Sequence, residues 1–262
     1  MLTQQIGSGI SGSPVARQSD ELTVFAAASL TEAFQKLGAG FEATHPNVKM
    51  RFNFGGSQQL VQQIIHGARC DILASANFKQ MNLAAAAGTI DSATIRAFAG
   101  NRLVMIAPKE NPARLTDFQD LSKPNIKIVL ADSSVPAGLY SRQVIDKASS
   151  PDGFGNSFAQ RVTKNIVSYE ENVRAVLSKV RLGECDAGIV YESDLSNDST
   201  HHVLRINIPE KFNLIAEYPI AVVNGTNSLE LSRQFIKYVL SEEGVRILAS
   251  FGFSQIGRAG KQ

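Results

Sequence analysis

At 262 residues the chain is too long for one small core and suits one large or two modest domains. With 44% apolar and 19% charged residues it reads as an ordinary globular protein. Its net charge of +2, without a long basic run, excludes the concentrated cationic face that nucleic acid requires.

In chain order, residues 1–21 are rich in Ser, Gly and Gln and lack both the apolar core of a signal peptide and a lipoprotein Cys. They are expected to form a disordered leader, and the chain displays no targeting signal. No later stretch approaches the roughly 20 apolar residues that cross a bilayer. From Leu22, short apolar runs alternate with amphipathic stretches. Leu22–Ala27 predicts a buried strand and Leu30–Thr44 a helix with Phe34, Leu37 and Phe41 on one stripe. Val48–Phe54 predicts a strand, Gln58–His66 a helix, Asp71–Ser75 a strand, and Lys79–Ala87 a helix that Gly88 ends. This order implies a mainly parallel sheet covered on both faces.

The order then restarts. Strands are predicted at Arg102–Ala107 and Ile126–Ala131, then helices at Leu139–Lys147, Ser157–Asn165 and Val173–Leu182. Strands follow at Ala187–Tyr191, Val203–Ile208 and Tyr218–Val223, and helices at Ser228–Leu240 and Glu242–Phe251. An internal echo supports two similar lobes. Val61–Ser75 (VQQIIHGARCDILAS) and Val176–Tyr191 (VLSKVRLGECDAGIVY) both read as a helix, a Gly stop, Cys-Asp and a strand. The fold class is therefore α/β, with two doubly wound lobes that bind ligand where strand ends meet helix starts. Residues 22–103 with 222–262 make the first lobe and 104–221 the second. The chain crosses between them near 102–107 and 218–223. Cys70 and Cys185, in no CxxC pattern, are expected to be buried thiols, with a disulfide the alternative in an exported protein.

Four helix starts attract attention. Ser29-Leu-Thr-Glu32 has the spacing of a capping box. Gly55-Gly-Ser57 precedes the second helix and lets the backbone turn tightly. Val135-Pro-Ala137-Gly138 and Asn172-Val173 open two more, with Pro136 at a first helical position and Asn172 a suitable cap. Each alone is ordinary capping. As a set they offer backbone N–H groups without internal partners, which several helix starts can aim at one anion with no Arg or Lys involved. Tyr191 ends a strand, where its hydroxyl reaches the cleft region. A nucleophilic Ser is improbable by contrast. His45, His66, His201 and His202 lie in loops or at a helix end, and neither Ser29 nor Ser57 sits in a G-x-S-x-G elbow.

These segments resemble the periplasmic molybdate-binding protein family: Phe25-Ala-Ala-Ala-Ser29-Leu30, Phe54-Gly-Gly-Ser57, Val135-Pro-Ala137-Gly138, Asn172-Val173-Arg174 and Gly188-Ile-Val-Tyr191. Asp71-Ile-Leu-Ala-Ser75-Ala, Asn101-Arg-Leu-Val and Tyr218-Pro-Ile-Ala-Val-Val add to the match, which runs from about Leu22 to Gly257. The resemblance implies a two-lobed type II periplasmic-binding-protein fold and no enzymatic activity. It implies a monomer that captures molybdate or tungstate outside the cytoplasm, needs no other cofactor, and delivers the anion to the permease of an ABC transporter. It also implies that Ser29 and Ser57 donate from side chain and backbone, Ala137 and Val173 from backbone N–H, and Tyr191 from its hydroxyl. Asn172 and the Gly55-Gly56 pair depart from residues that relatives often carry. Glu170 and Glu171, acidic beside an anion site, are expected to point outward. Sulfate or phosphate in the same fold is the main alternative. Phosphate would favour a carboxylate acceptor for its proton, and none falls among the five contacts. A sensor domain of a regulator is disfavoured, since no DNA-binding helix pair or basic arm is visible.

Overall fold

The computed structural model describes residues 20–195 and 202–256; residues 1–19 of the predicted leader and His201 lie outside the described residues, while Asp20 and Glu21, counted with the leader, belong to the first strand because they pair with Val48 and Lys49. Among the described residues nine strands run β1 Asp20–Ala27, β2 Val48–Gly55, β3 Ile72–Ala74, β4 Arg96–Pro108, β5 Ile128–Ala131, β6 Ile166–Glu170, β7 Ala187–Tyr191, β8 Val203–Ile206 and β9 Ile215–Val222. The α-helices are α1 Thr31–Thr44, α2 Ser57–Ile65, α3 Phe78–Ala86, α4 Pro136–Ala148, α5 Phe158–Lys164, α6 Val173–Arg181, α7 Leu229–Val239 and α8 Glu242–Ser250. Among described residues the sheet order is β2-β1-β3-β9-β4-β7-β5-β6, with β8 pairing β4.

Two parallel blocks occupy the ends of this path. In one, β1 lies between β2 and β3; in the other, β5 lies between β6 and β7. First strand central, second to one side and third to the other is the same winding twice. Antiparallel β9 and β4 join the blocks: β9 pairs β3 and β4, and β4 pairs β9 through Arg102 and β7 from Leu103. This is a mixed α/β fold, as the alternating pattern implied, and its repeated winding agrees with the periplasmic-binding-protein fold that the resemblance implied.

Burial on both faces explains the apolar strand runs. Leu22, Val24 and Ala26 of β1 pack with Phe34, Leu37 and Phe41 of α1 in the large core. Phe25, one step out of phase, packs on the opposite face with Leu60, Val61 and Ile64 of α2. Phe34 meets Phe52, Phe98 and Phe235 edge-on, drawing β2, β4 and α7 onto α1. In the second block Phe118, Phe154, Phe158 and Phe212 form a separate aromatic group.

Strand β9 begins three positions before its predicted start, at Ile215, and two further elements differ more from the sequence reading. Strand β4 is 13 residues long and begins at Arg96, six positions before the predicted start. Its early part carries Gly100 and a register shift between Ala97 and Ala99, which blurred the apolar run. Ile166–Glu170, a stretch given no element in the sequence reading, forms β6. That strand is at the sheet edge and leaves Val167 and Tyr169 exposed, so it lacks the apolar signature of its neighbours.

Candidate functional site

The repeated winding sets the site. Helix starts follow the C-terminal ends of β1 and β5, and of β2 and β6, so equivalent points of the two blocks face each other. Ser29 follows β1 and Ala137 follows β5; Ser57 follows β2 and Val173 follows β6. Ser29, Ser57, Ala137, Val173 and Tyr191 line one small cavity. No charged side chain is among its lining residues.

Local chemistry differs at each point. Ser57 is the first residue of α2, behind Gly56 in an extended conformation. Its Oγ accepts a hydrogen bond from Ala76 N at 3.0 Å, which leaves the hydroxyl proton to be donated. In α4, Pro136 is the first helical residue and has no N–H, so Ala137 carries the first available amide. Asn172 caps α6 by accepting from Ala175 N at 3.0 Å, leaving the Val173 amide in the first turn without an intrahelical partner.

Ser29 is a correction. It is not an N-cap: it lies inside a 3-10 turn, Ala28–Leu30, and α1 has no side-chain cap. Its hydroxyl instead shares a 2.9 Å hydrogen bond with the hydroxyl of Tyr218 on β9. Asn101 Nδ2 donates to that Tyr218 hydroxyl at 3.3 Å and to Ser193 Oγ at 2.8 Å. Asn101 occupies an acceptor site of the Tyr218 hydroxyl, and where Tyr218 then donates to Ser29 the Ser29 proton is left for the cavity. In the sequence Tyr218 and Asn101 stand only within supporting segments of the resemblance, with no role of their own. The signal that could have found them is a Tyr and an Asn inside strands that are otherwise buried and apolar.

Tyr191 is fully buried, packs edge-on against Tyr218, and its hydroxyl has no partner of good hydrogen-bond geometry. A buried hydroxyl whose hydrogen bond is poorly aligned costs up to about 1–3 kcal/mol, and an acceptor in the cavity would relieve that cost. Burial pushes its phenol well above the ordinary range, so it is a donor at neutral pH. Among the five positions no carboxylate supplies an acceptor, and the cavity suits an unprotonated anion.

The acidic pair at the β6–α6 junction turns away. Glu170 Oε1 meets Lys179 Nζ at 2.7 Å, and Glu171 Oε2 accepts from Gln59 Nε2 at 3.1 Å. Gln58 Nε2 donates to the Glu171 carbonyl at 2.9 Å, and Gln80 Nε2 to the Ser134 carbonyl at 3.2 Å, so side chains of the first block reach backbone of the second around the cavity. A Cβ on Gly56 would stand 2.7 Å from the Glu171 carbonyl oxygen. Glycine there permits close approach of the two blocks, not a loose loop.

Neither His45 nor His66 lines the cavity: each ring nitrogen Nδ1 meets a carbonyl of its own helix, Phe41 O and Gln62 O. Cys70 and Cys185 are free and buried, and burial pushes both thiols up to about 12, far from a reactive thiolate.

The sequence profile of the bacterial extracellular solute-binding protein family matches residues 22–254. The chain belongs to that family. Among its relatives, the Molybdate-binding protein ModA of Mycobacterium tuberculosis is 37% identical over 234 residues, covering 89% of this chain and 84% of that protein. The solved Azotobacter vinelandii periplasmic molybdate-binding protein superposes with a TM-score of 0.76 at 19% identity, covering 89% of this chain and 98% of that one. The sulfate-binding protein SubI from Mycobacterium tuberculosis superposes with a TM-score of 0.82 at 18% identity, covering 92% and 88%. Both structures share the fold. No helix among the described residues is long and apolar enough to cross a membrane.

Proposed function

We propose that this chain captures molybdate or tungstate between its two blocks, outside the cytoplasm, and delivers it to the permease of an ABC transporter. Residues 22–103 with 222–262 form one lobe and 104–221 the other, and the crossings in β4 and β9 act as the hinge. The protein works as a monomer, without nucleic acid and without catalysis.

One observation carries the reading: five donor positions meet at a cavity free of charged side chains, with the Tyr191 hydroxyl unpartnered. Ser29 and Ser57 donate hydroxyl and backbone protons, Ala137 and Val173 donate amides, and Tyr191 donates its phenol. Hydrogen bonds to a charged acceptor are worth about 1.5–3 kcal/mol each, so such a set can offset the dehydration of a dianion. The donors are fixed before binding by helix geometry and by the Asn101–Tyr218–Ser29 relay, which lowers the ordering cost. The kinship with molybdate-binding proteins supports the choice of anion, and the absence of a carboxylate disfavours hydrogen phosphate.

Calorimetric titration with molybdate, tungstate, sulfate and phosphate tests it. Tight, saturable binding of molybdate and tungstate, with sulfate and phosphate much weaker, is expected. Binding of sulfate or phosphate in preference would reassign the ligand.

A further inference from the structure

Beside the cavity, three charged groups connect both blocks. Arg174 is the second residue of α6, next to Val173, and its guanidinium spans the gap to Glu32 in the first turn of α1. Arg174 Nη1 donates to Glu32 Oε1 at 3.0 Å, and Nη2 to Glu32 Oε2, a two-pronged contact of the kind that fixes orientation as well as charge. On its other side, Arg174 Nε stands 2.9 Å from Asp194 Oδ1, off the hydrogen-bond axis, so this contact is chiefly coulombic. Asp194 is completely buried, and its Oδ2 accepts from Tyr191 N at 3.0 Å.

We propose that Glu32, Arg174 and Asp194 form an interlobe latch that slows release of the bound anion. The inference rests on the proposed capture of an oxyanion between the blocks. Asp194 belongs to the same block as Arg174 and aims its guanidinium. Glu32 is the part that must leave when the blocks separate. Arg174 and Asp194 are positioning residues, since neither lines the cavity. The latch joins the segments that carry Ser29, Val173 and Tyr191, so closing it brings those donors into register.

Glu32 and Arg174 side chains are 39% and 24% exposed, so the contact is screened by solvent and its effect is moderate. Because anion enters the open form, the latch acts on the closed population and therefore on release more than on association.

The test uses the full chain with radiolabelled molybdate, chased with excess unlabelled molybdate, in wild type, Glu32→Gln and Glu32→Ala. Release about 3- to 10-fold faster is expected in both variants, with association and the melting temperature of the ligand-free protein little changed. Raising the ionic strength should speed release from wild type more than from Glu32→Gln, because only the former has the latch charge to screen. A purely structural Glu32 would not produce that difference. Wild type that binds molybdate while Glu32→Gln releases it at the same rate, or more slowly because a negative charge near the dianion is gone, overturns the latch. Wild type that binds no molybdate overturns the proposed ligand instead.

Discussion

The blocks β1-α1-β2-α2-β3 and β5-α4-α5-β6-α6-β7 begin their third strands alike and end them differently. Gly67 and Gly183, both in the left-handed region, follow α2 and α6. Buried Cys70 and Cys185 come next, then Asp71 and Asp186. Asp71 Oδ2 accepts from Thr23 N at 2.7 Å while Asp71 N donates to Thr23 O at 2.8 Å. Asp186 Oδ2 accepts from Lys127 N at 2.8 Å while Asp186 N donates to Lys127 O at 2.8 Å. Each Asp thus clamps its strand to the start of the block's central strand. At the far ends the symmetry stops. Ser75 Oγ donates to Asn77 O at 3.0 Å and is satisfied within its own block, whereas Tyr191 keeps an unpartnered hydroxyl at the cavity. The strand starts hold the scaffold in both blocks; the proposed ligand chemistry is confined to the ends, and one end carries more of it.

Several substitutions can break or sharpen that contrast. The largest effect is expected at the end of β7. Burial raises the Asp194 carboxyl to about 6, against the opposing pull of Arg174 and the Tyr191 amide, with Glu32 adding to the rise. Its native value lies above its unfolded one, so its contribution to stability is fully present below about 4 and is lost as pH rises through about 6. The difference in stability between wild type and Asp194→Asn, followed by denaturant unfolding from pH 7.5 to 4, should move in favour of wild type by up to about 3 kcal/mol as pH falls. A flat difference would mean that Asp194 has an ordinary carboxyl.

Next, Tyr191→Phe should weaken oxyanion binding by about 10- to 100-fold in calorimetry while leaving ligand-free stability equal or slightly higher, because an orphaned hydroxyl is removed. Equal affinity would place the anion away from Tyr191. At the strand starts, Asp71→Ala and Asp186→Ala should each cost about 1–3 kcal/mol of stability with little effect on affinity per folded molecule. Asp71→Ala should cost more, since Thr226 Oγ1 also donates to Asp71 Oδ1 at 2.5 Å. Smallest, Gly56→Ala should leave the melting temperature alone but weaken binding several-fold, by obstructing approach to the Glu171 carbonyl. Small-angle scattering would show the liganded variant less closed than wild type.

Much of this was legible in sequence because it is local. The α2 and α6 segments announced themselves by helix, Gly stop, Cys-Asp and strand, and the structure builds them alike. Helix starts at Ser57, Ala137 and Val173 followed from Gly, Pro and Asn placed where each has a steric or capping reason to be. Ser29 shows the limit. Its spacing to Glu32 fits a capping box, yet Ser29 bonds to Tyr218, 189 residues away, and Glu32 bonds to Arg174, 142 residues away. Tertiary partners outcompeted the local motif, and nothing in a short window reports them. Asn101 and Asp194 were hidden for the same reason: their roles exist only once β4, β7 and β9 are neighbours. Edge strand β6 escaped because half of it faces solvent.

The central claim is that an oxyanion sits among Ser29, Ser57, Ala137, Val173 and Tyr191. Crystals grown with tungstate, measured at the tungsten absorption edge, test it most directly. The account predicts one strong anomalous peak within hydrogen-bond reach of both serine hydroxyls and the Tyr191 phenol. A peak elsewhere in the molecule, with that cavity holding only water, would contradict it.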